Sequence, residues 1–139
     1  MRNLGLDIGE KRIGVAVSDA DGILATPLTT INRDDDEMSI EAIFELVQQH
    51  QVERIVVGLP YSLDGRAGKE VEKVKAFISK FPECGGISVE MWDERLSTVA
   101  AERLMINAGK KRSKRKAQCD AAAAALILQG FLDSLKVSD

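Results

Sequence analysis

Leu4, Leu6 and Ile8 alternate with Gly5, Asp7 and Gly9, the two-residue period of a strand with one apolar face. Residues 3–9, 12–18 and 23–31 read as three strands, joined by turns at Gly9-Glu10-Lys11 and Asp19-Ala20-Asp21-Gly22. Connections this short force an antiparallel meander. Ile40, Ile43, Phe44 and Val47 then recur at i, i+3, i+4 and i+7, predicting an amphipathic helix whose first turn carries Asp34, Asp35, Asp36 and Glu37 as capping acids. Arg54-Ile55-Val56-Val57-Gly58-Leu59-Pro60 is a short apolar run stopped by proline, as expected of a strand covered on both faces. Val71, Val74, Phe77, Ile78 and Phe81 mark a second helix ending near Pro82, and Ile87, Val89 and Met91 mark a fifth strand ending at Asp93-Glu94. Residues 99–108 should be helical, with Ser97 or Thr98 as cap and Gly109 as terminator. After a basic loop, Lys116 to Leu135 forms an alanine-rich helix. The order βββαβαβαα makes an α/β domain: a mixed five-stranded sheet, three strands antiparallel and then two parallel, with helices on both faces.

The 139 residues fit one domain, 1–139, with a core that needs no covalent staples. No apolar run approaches the ~20 residues of a membrane span, and no secretory signal opens the chain, so a cytoplasmic protein without a membrane partner is expected. Cys84 and Cys119 form no C-x-x-C and read as reduced thiols. The net charge of −3 hides a polarity. Lys110, Lys111, Arg112, Lys114, Arg115 and Lys116 place six cations in seven positions, so the remaining chain is far more acidic than the total.

Three acids occupy positions where an acid needs explaining. Asp7 shares its strand face with Gly5 and Gly9, which predicts an open face around the carboxylate. Glu94 stands where the fifth strand gives way to a helix, and strand ends are where open α/β sheets place ligands; an ion pair of Asp93 or Glu94 with Arg95 is the plainer alternative. Asp120 lies on one helix face with Ala117, Ala124, Ile127 and Phe131, towards the packed side. Burial there calls for a basic partner or a metal ion, unless the acid merely favours the helix dipole. Hard oxygen donors without clustered His and Cys suit Mg2+ or Mn2+, not zinc. In phosphodiester hydrolysis such ions activate a water and stabilise the leaving oxygen. His50, the sole histidine, sits at a polar helix end and reads as solvated.

The segments Asp7-Ile8-Gly9-Glu10-Lys11-Arg12-Ile13-Gly14-Val15-Ala16, Val57-Gly58-Leu59-Pro60 with Asp64-Gly65, Asp93-Glu94-Arg95-Leu96-Ser97-Thr98 and Asp120-Ala121-Ala122-Ala123 together resemble the YqgF (RuvX) family nearly end to end. The resemblance implies a ribonuclease H-like fold and a nuclease, either a Holliday junction resolvase or an enzyme that processes the 5′ end of pre-16S ribosomal RNA. By motif position it implies Asp7, Glu94 and Asp120 as metal-binding catalytic acids. Related resolvases carry a carboxylate at the end of the fourth strand, where this chain has Gly58-Leu59-Pro60, so Glu94 would have to replace it.

Lys11, Arg12, Arg66, Arg95 and the cations Lys110, Lys111, Arg112, Lys114, Arg115 and Lys116 would then contact phosphates, setting position and not sequence. Lys11 and Arg12 could equally be plain hairpin charges, and Arg66 could simply solvate its loop. The expected partner is nucleic acid, pre-rRNA or branched DNA. Resolving a junction calls for two symmetry-related sites, as a homodimer would supply, whereas trimming an RNA end does not. A non-catalytic nucleic-acid-binding module is the competing class. A phosphotransferase of the actin and sugar-kinase type is disfavoured, because its nucleotide lies between two such domains, and no nucleotide cofactor is expected.

Overall fold

A computed structural model of the chain describes residues 1–60, 68–83, 85–94 and 112–137, with side chains of the last helix described for 120–136. Strands β1 (Asn3–Ile8), β2 (Arg12–Ser18) and β3 (Ala25–Asn32) form the antiparallel meander. Strands β4 (Arg54–Leu59) and β5 (Ser88–Asp93) join in parallel, β4 beside β1 and β5 beside β4, in the sheet order β3-β2-β1-β4-β5. Helices α1 (Asp36–Gln49), α2 (Lys69–Ile78) and α3 (Arg112–Val137) complete the described elements.

Strand alternation divides the core in two. Leu4, Leu6, Ile8, Ile13, Val15, Ile55 and Val57 project from one face onto Ile40, Ile43 and Val47 of α1 and Val71, Val74 and Phe77 of α2. From the other face Ala16 and Val56 meet Ala123, Ala124, Ile127, Leu128 and Leu132 of α3. Helices on both faces are thus as expected, and each large aliphatic side chain buried this way is worth about 1.5–3 kcal/mol. The β4 run Ile55-Val56-Val57 is fully buried on both sides, which accounts for its unbroken apolarity. At the edge, β5 leaves Met91 about half exposed.

Helix α1 begins as its acids foretell: the Asp35 carboxylate accepts from the Glu37 N–H at 3.1 Å and supplies the N-cap. Strand β3 starts two residues later than expected, because the Asp19 carboxylate accepts from the Ile23 and Leu24 N–H groups (2.7 and 3.3 Å) and holds them in the preceding turn. The larger correction concerns α3. It runs from Arg112 and not from Lys116, so Arg112, Lys114 and Arg115, expected in the basic loop, are helical. Lys and Arg are good helix formers, and no Gly or Pro separates them from the alanine-rich stretch. The expected helix at 99–108, its cap at Ser97 or Thr98, Cys84 and the Cys119 side chain lie outside the described residues.

Candidate active site at the carboxyl edge of the parallel strands

Strands β1, β4 and β5 run in the same direction, so their carboxyl ends share one edge of the sheet, where Asp7, Gly58 and Glu94 lie. Asp7 is flanked on both sides by glycine. In the antiparallel ladder its partner is Gly14 of β2, with Cα atoms about 4.5–5.5 Å apart. On the other side, β4 runs beside β1 with Leu6 level with Val57, so Gly58 is the next residue along as Asp7 is.

Neither glycine leaves empty space. A β-carbon at Gly14 would overlap the backbone carbonyl oxygen of Asp120, so α3 rests on the sheet at the residue that carries the third acid. A β-carbon at Gly58 would lie 2.5 Å from Ile127 Cδ1 and 3.1 Å from Glu94 Cγ, which places the Glu94 side chain over the fourth strand. Asp7 therefore stands between a glycine that seats Asp120 and a glycine overlaid by Glu94. The three acids come from elements far apart in sequence, and the topology sets them across adjacent strands on the α3 side.

The open face expected around Asp7 is a correction. A β-carbon at Gly5 would come within 2.7 Å of Leu128 Cβ and 2.9 Å of the Ala124 carbonyl oxygen, so α3 covers this position. Gly9 is needed by the turn: its N–H donates to the Arg12 carbonyl at 2.9 Å, and a β-carbon would meet that same oxygen at 2.8 Å. These glycines serve close approach of backbone, not vacancy at the acid.

Asp120 resolves one alternative left open by its helix position. Its Oδ2 accepts from Arg12 Nε at 2.8 Å, with about a quarter of each side chain exposed, so a basic partner compensates this carboxylate. Arg12, read as a phosphate contact or a plain hairpin charge, is turned onto the candidate acid Asp120. Among the described residues, no three His, Cys, Asp or Glu side chains are gathered as a ready cation cage. The donor chemistry, carboxylate oxygens from three elements, nevertheless suits a hard dication.

The chain matches the RuvX family, described as Holliday junction resolvase, over residues 1–134. It belongs to the RuvX family. A relative from Desulforamulus reducens, which bears the name "Putative pre-16S rRNA nuclease", is 48% identical over 134 residues, covering 96% of this chain and 98% of its own. One of the same name from Chloroflexus aurantiacus is 50% identical over 131 residues, covering 94% and 86%. Among solved structures, the fowlpox virus Holliday junction resolvase superposes with a TM-score of 0.58 at 16% identity, covering 96% of this chain and 99% of its own. The same viral resolvase with junction DNA gives 0.54. The RuvX chain thus has the resolvase fold, the ribonuclease H-like arrangement that its motifs imply.

Around the site of this RuvX chain, Lys11 is exposed on the β1–β2 turn. Arg66, Arg95, Lys110 and Lys111 lie outside the described residues, as do the side chains of Arg112, Lys114, Arg115 and Lys116. Sequence reasoning overlooked a different set of cations. Arg33 donates to the Gly9 carbonyl (2.8 Å) and to Asp36 (3.0 Å) while its guanidinium lies 4.5 Å over the Phe77 ring. Lys73 bonds Glu10 at 2.6 Å and Lys80 bonds Asp36 at 2.9 Å. Together they line a cleft of about 330 Å³ beneath the turn. The Lys73 ammonium holds the Glu10 carboxyl below its ordinary range, and Arg33 with Lys80 does the same for Asp36. Lys73–Glu10 ties the turn after Asp7 to α2 across 63 positions, and the Arg33 bond to Gly9 ties it to the segment before α1 across 24, contacts with no local sequence signal. His50 caps α1 beside Arg2 and Glu53 at the opposite, amino edge of β1, too far round the fold to serve as base for Asp7. No described helix is long and apolar enough to cross a membrane.

Proposed function

We propose that this RuvX-family chain is a metal-dependent endonuclease that hydrolyses phosphodiester bonds in structured nucleic acid and processes the 5′ end of pre-16S ribosomal RNA. The observation that carries this reading is Asp7 between two glycines, with Asp120 seated over one and Glu94 laid over the other. Family membership and the names of close relatives support the substrate.

Asp7, Glu94 and Asp120 would hold Mg2+ or Mn2+, which when bound supplies an activated water and charge stabilisation at the leaving oxygen. The chain's own residues do the rest. The β1 ladder fixes the Asp7 carboxylate, α3 presents Asp120, and the end of β5 carries Glu94 across to the place of the missing fourth-strand acid. Lys11, Arg66, Arg95, Lys110, Lys111 and the cations 112–116 hold the backbone of the substrate by charge, which makes binding fall steeply with salt.

A second reading, resolution of four-way DNA junctions by a homodimer, is favoured by the family's own description and by the likeness to the fowlpox resolvase. Cleavage of matched precursor rRNA and junction DNA in Mg2+ and Mn2+ decides between them. The primary reading expects specific cuts at the rRNA 5′ region. Paired symmetric nicks on the junction with intact rRNA would replace it with the second, and failure on both would leave a binding module.

A further inference from the structure

We infer that Arg12 is the built-in counter-ion of Asp120 and competes with the dication for that carboxylate, so that it sets the metal affinity of the site. The inference rests on the metal-dependent reading above. Arg12 opens β2 two residues before Gly14, hence on the same sheet face, and Gly14 is where Asp120 rests. That register puts the guanidinium at the carboxyl edge of β1, and Nε closes on Asp120 Oδ2 at 2.8 Å across 108 positions of sequence. Oδ2 is an oxygen that a hard cation would need.

Two features make the contact exchangeable. About 29% of the Arg12 side chain and 26% of Asp120 remain exposed, so the guanidinium can swing into water without stranding a buried charge. The contact engages Nε, leaving the terminal nitrogens of Arg12 outside this contact and able to meet an anion at the same edge. Arg12 therefore occupies Asp120 before the dication arrives and is released towards substrate phosphate when it does.

The opposite role, Arg12 orienting Asp120 for the metal, predicts the reverse sign, which makes the choice experimental. Mn2+ binding to the full chain by electron paramagnetic resonance, and Mg2+ binding by calorimetry, should be about three- to tenfold tighter in Arg12→Ala, since an ion-pair competitor and a like charge are both removed. Arg12→Lys, which keeps the charge, should remain near wild type. In the wild-type chain, Mg2+ should shift the Arg12 Nε–H resonance, assigned by its loss in Arg12→Lys. Should Arg12→Ala unfold, Arg12→Gln replaces it. Unchanged or weaker dication binding in Arg12→Ala, with the wild type still binding through Asp7, overturns the inference and leaves the metal reading standing. No binding in wild type, or binding indifferent to Asp7→Asn, defeats both.

Discussion

Gly14 lies directly beneath Asp120, so close that a β-carbon there would overlap the helix backbone. Backbone cannot rotate away as a side-chain tip can. Gly14→Ala should therefore lift α3 from the sheet around Asp120 and Ala121, destabilising the fold by about 1–3 kcal/mol as core overpacking does. Urea unfolding measures this. A loss under about 0.5 kcal/mol would mean that α3 does not rest on β2 at this residue.

Gly58 bears on the absent fourth-strand acid. Its position is already filled by Ile127 and overlaid by Glu94, so Gly58→Asp should not supply a fourth ligand. We expect destabilisation of about 1–3 kcal/mol. Because the nearest obstacle is one flexible side-chain end, Ile127→Ala should couple favourably with Gly58→Asp, the double variant losing less than the two single losses combined. Strict additivity in denaturant midpoints would contradict the proposed crowding.

These two glycines mark the boundary of what could be read from sequence. Alternation in Leu4-Gly5-Leu6-Asp7-Ile8 identifies β1 and its faces because side-chain direction is local, and helices on both faces follow from the order of elements. What fills the space above a glycine is not local. In the sequence Gly5 therefore reads as a cleared floor, whereas in the fold it is the bed of Leu128. Arg12 and Asp120 meet only through the register of β2 under α3, which no spacing along the chain encodes. Dense charge suggests a loop at the basic segment, whereas Arg112, Lys114 and Arg115 propagate helix well and extend α3.

Asp36 should give the fold a measurable acid sensitivity. Arg33 and then Lys80 depress its folded-state pKa, so its contribution is complete above the unfolded aspartate value, near pH 4, and disappears as pH falls through the lower folded value. Melting temperature followed downwards from about pH 5 should drop less steeply in Asp36→Asn than in wild type. Parallel curves would show that the pairs with Arg33 and Lys80 add nothing in solution.

Asp7→Asn offers the most direct test of the central claim, that the acid between Gly14 and Gly58 belongs to a metal-dependent cleavage centre. The substitution keeps size and removes charge from a half-buried strand position, so far-ultraviolet circular dichroism should be preserved. The decisive measurement is the single-turnover cleavage rate on precursor 16S rRNA in Mg2+, wild type against Asp7→Asn. A fall of at least about 100-fold is expected, the scale on which losing a transition-state contact acts. Full cleavage by the folded variant would contradict the account.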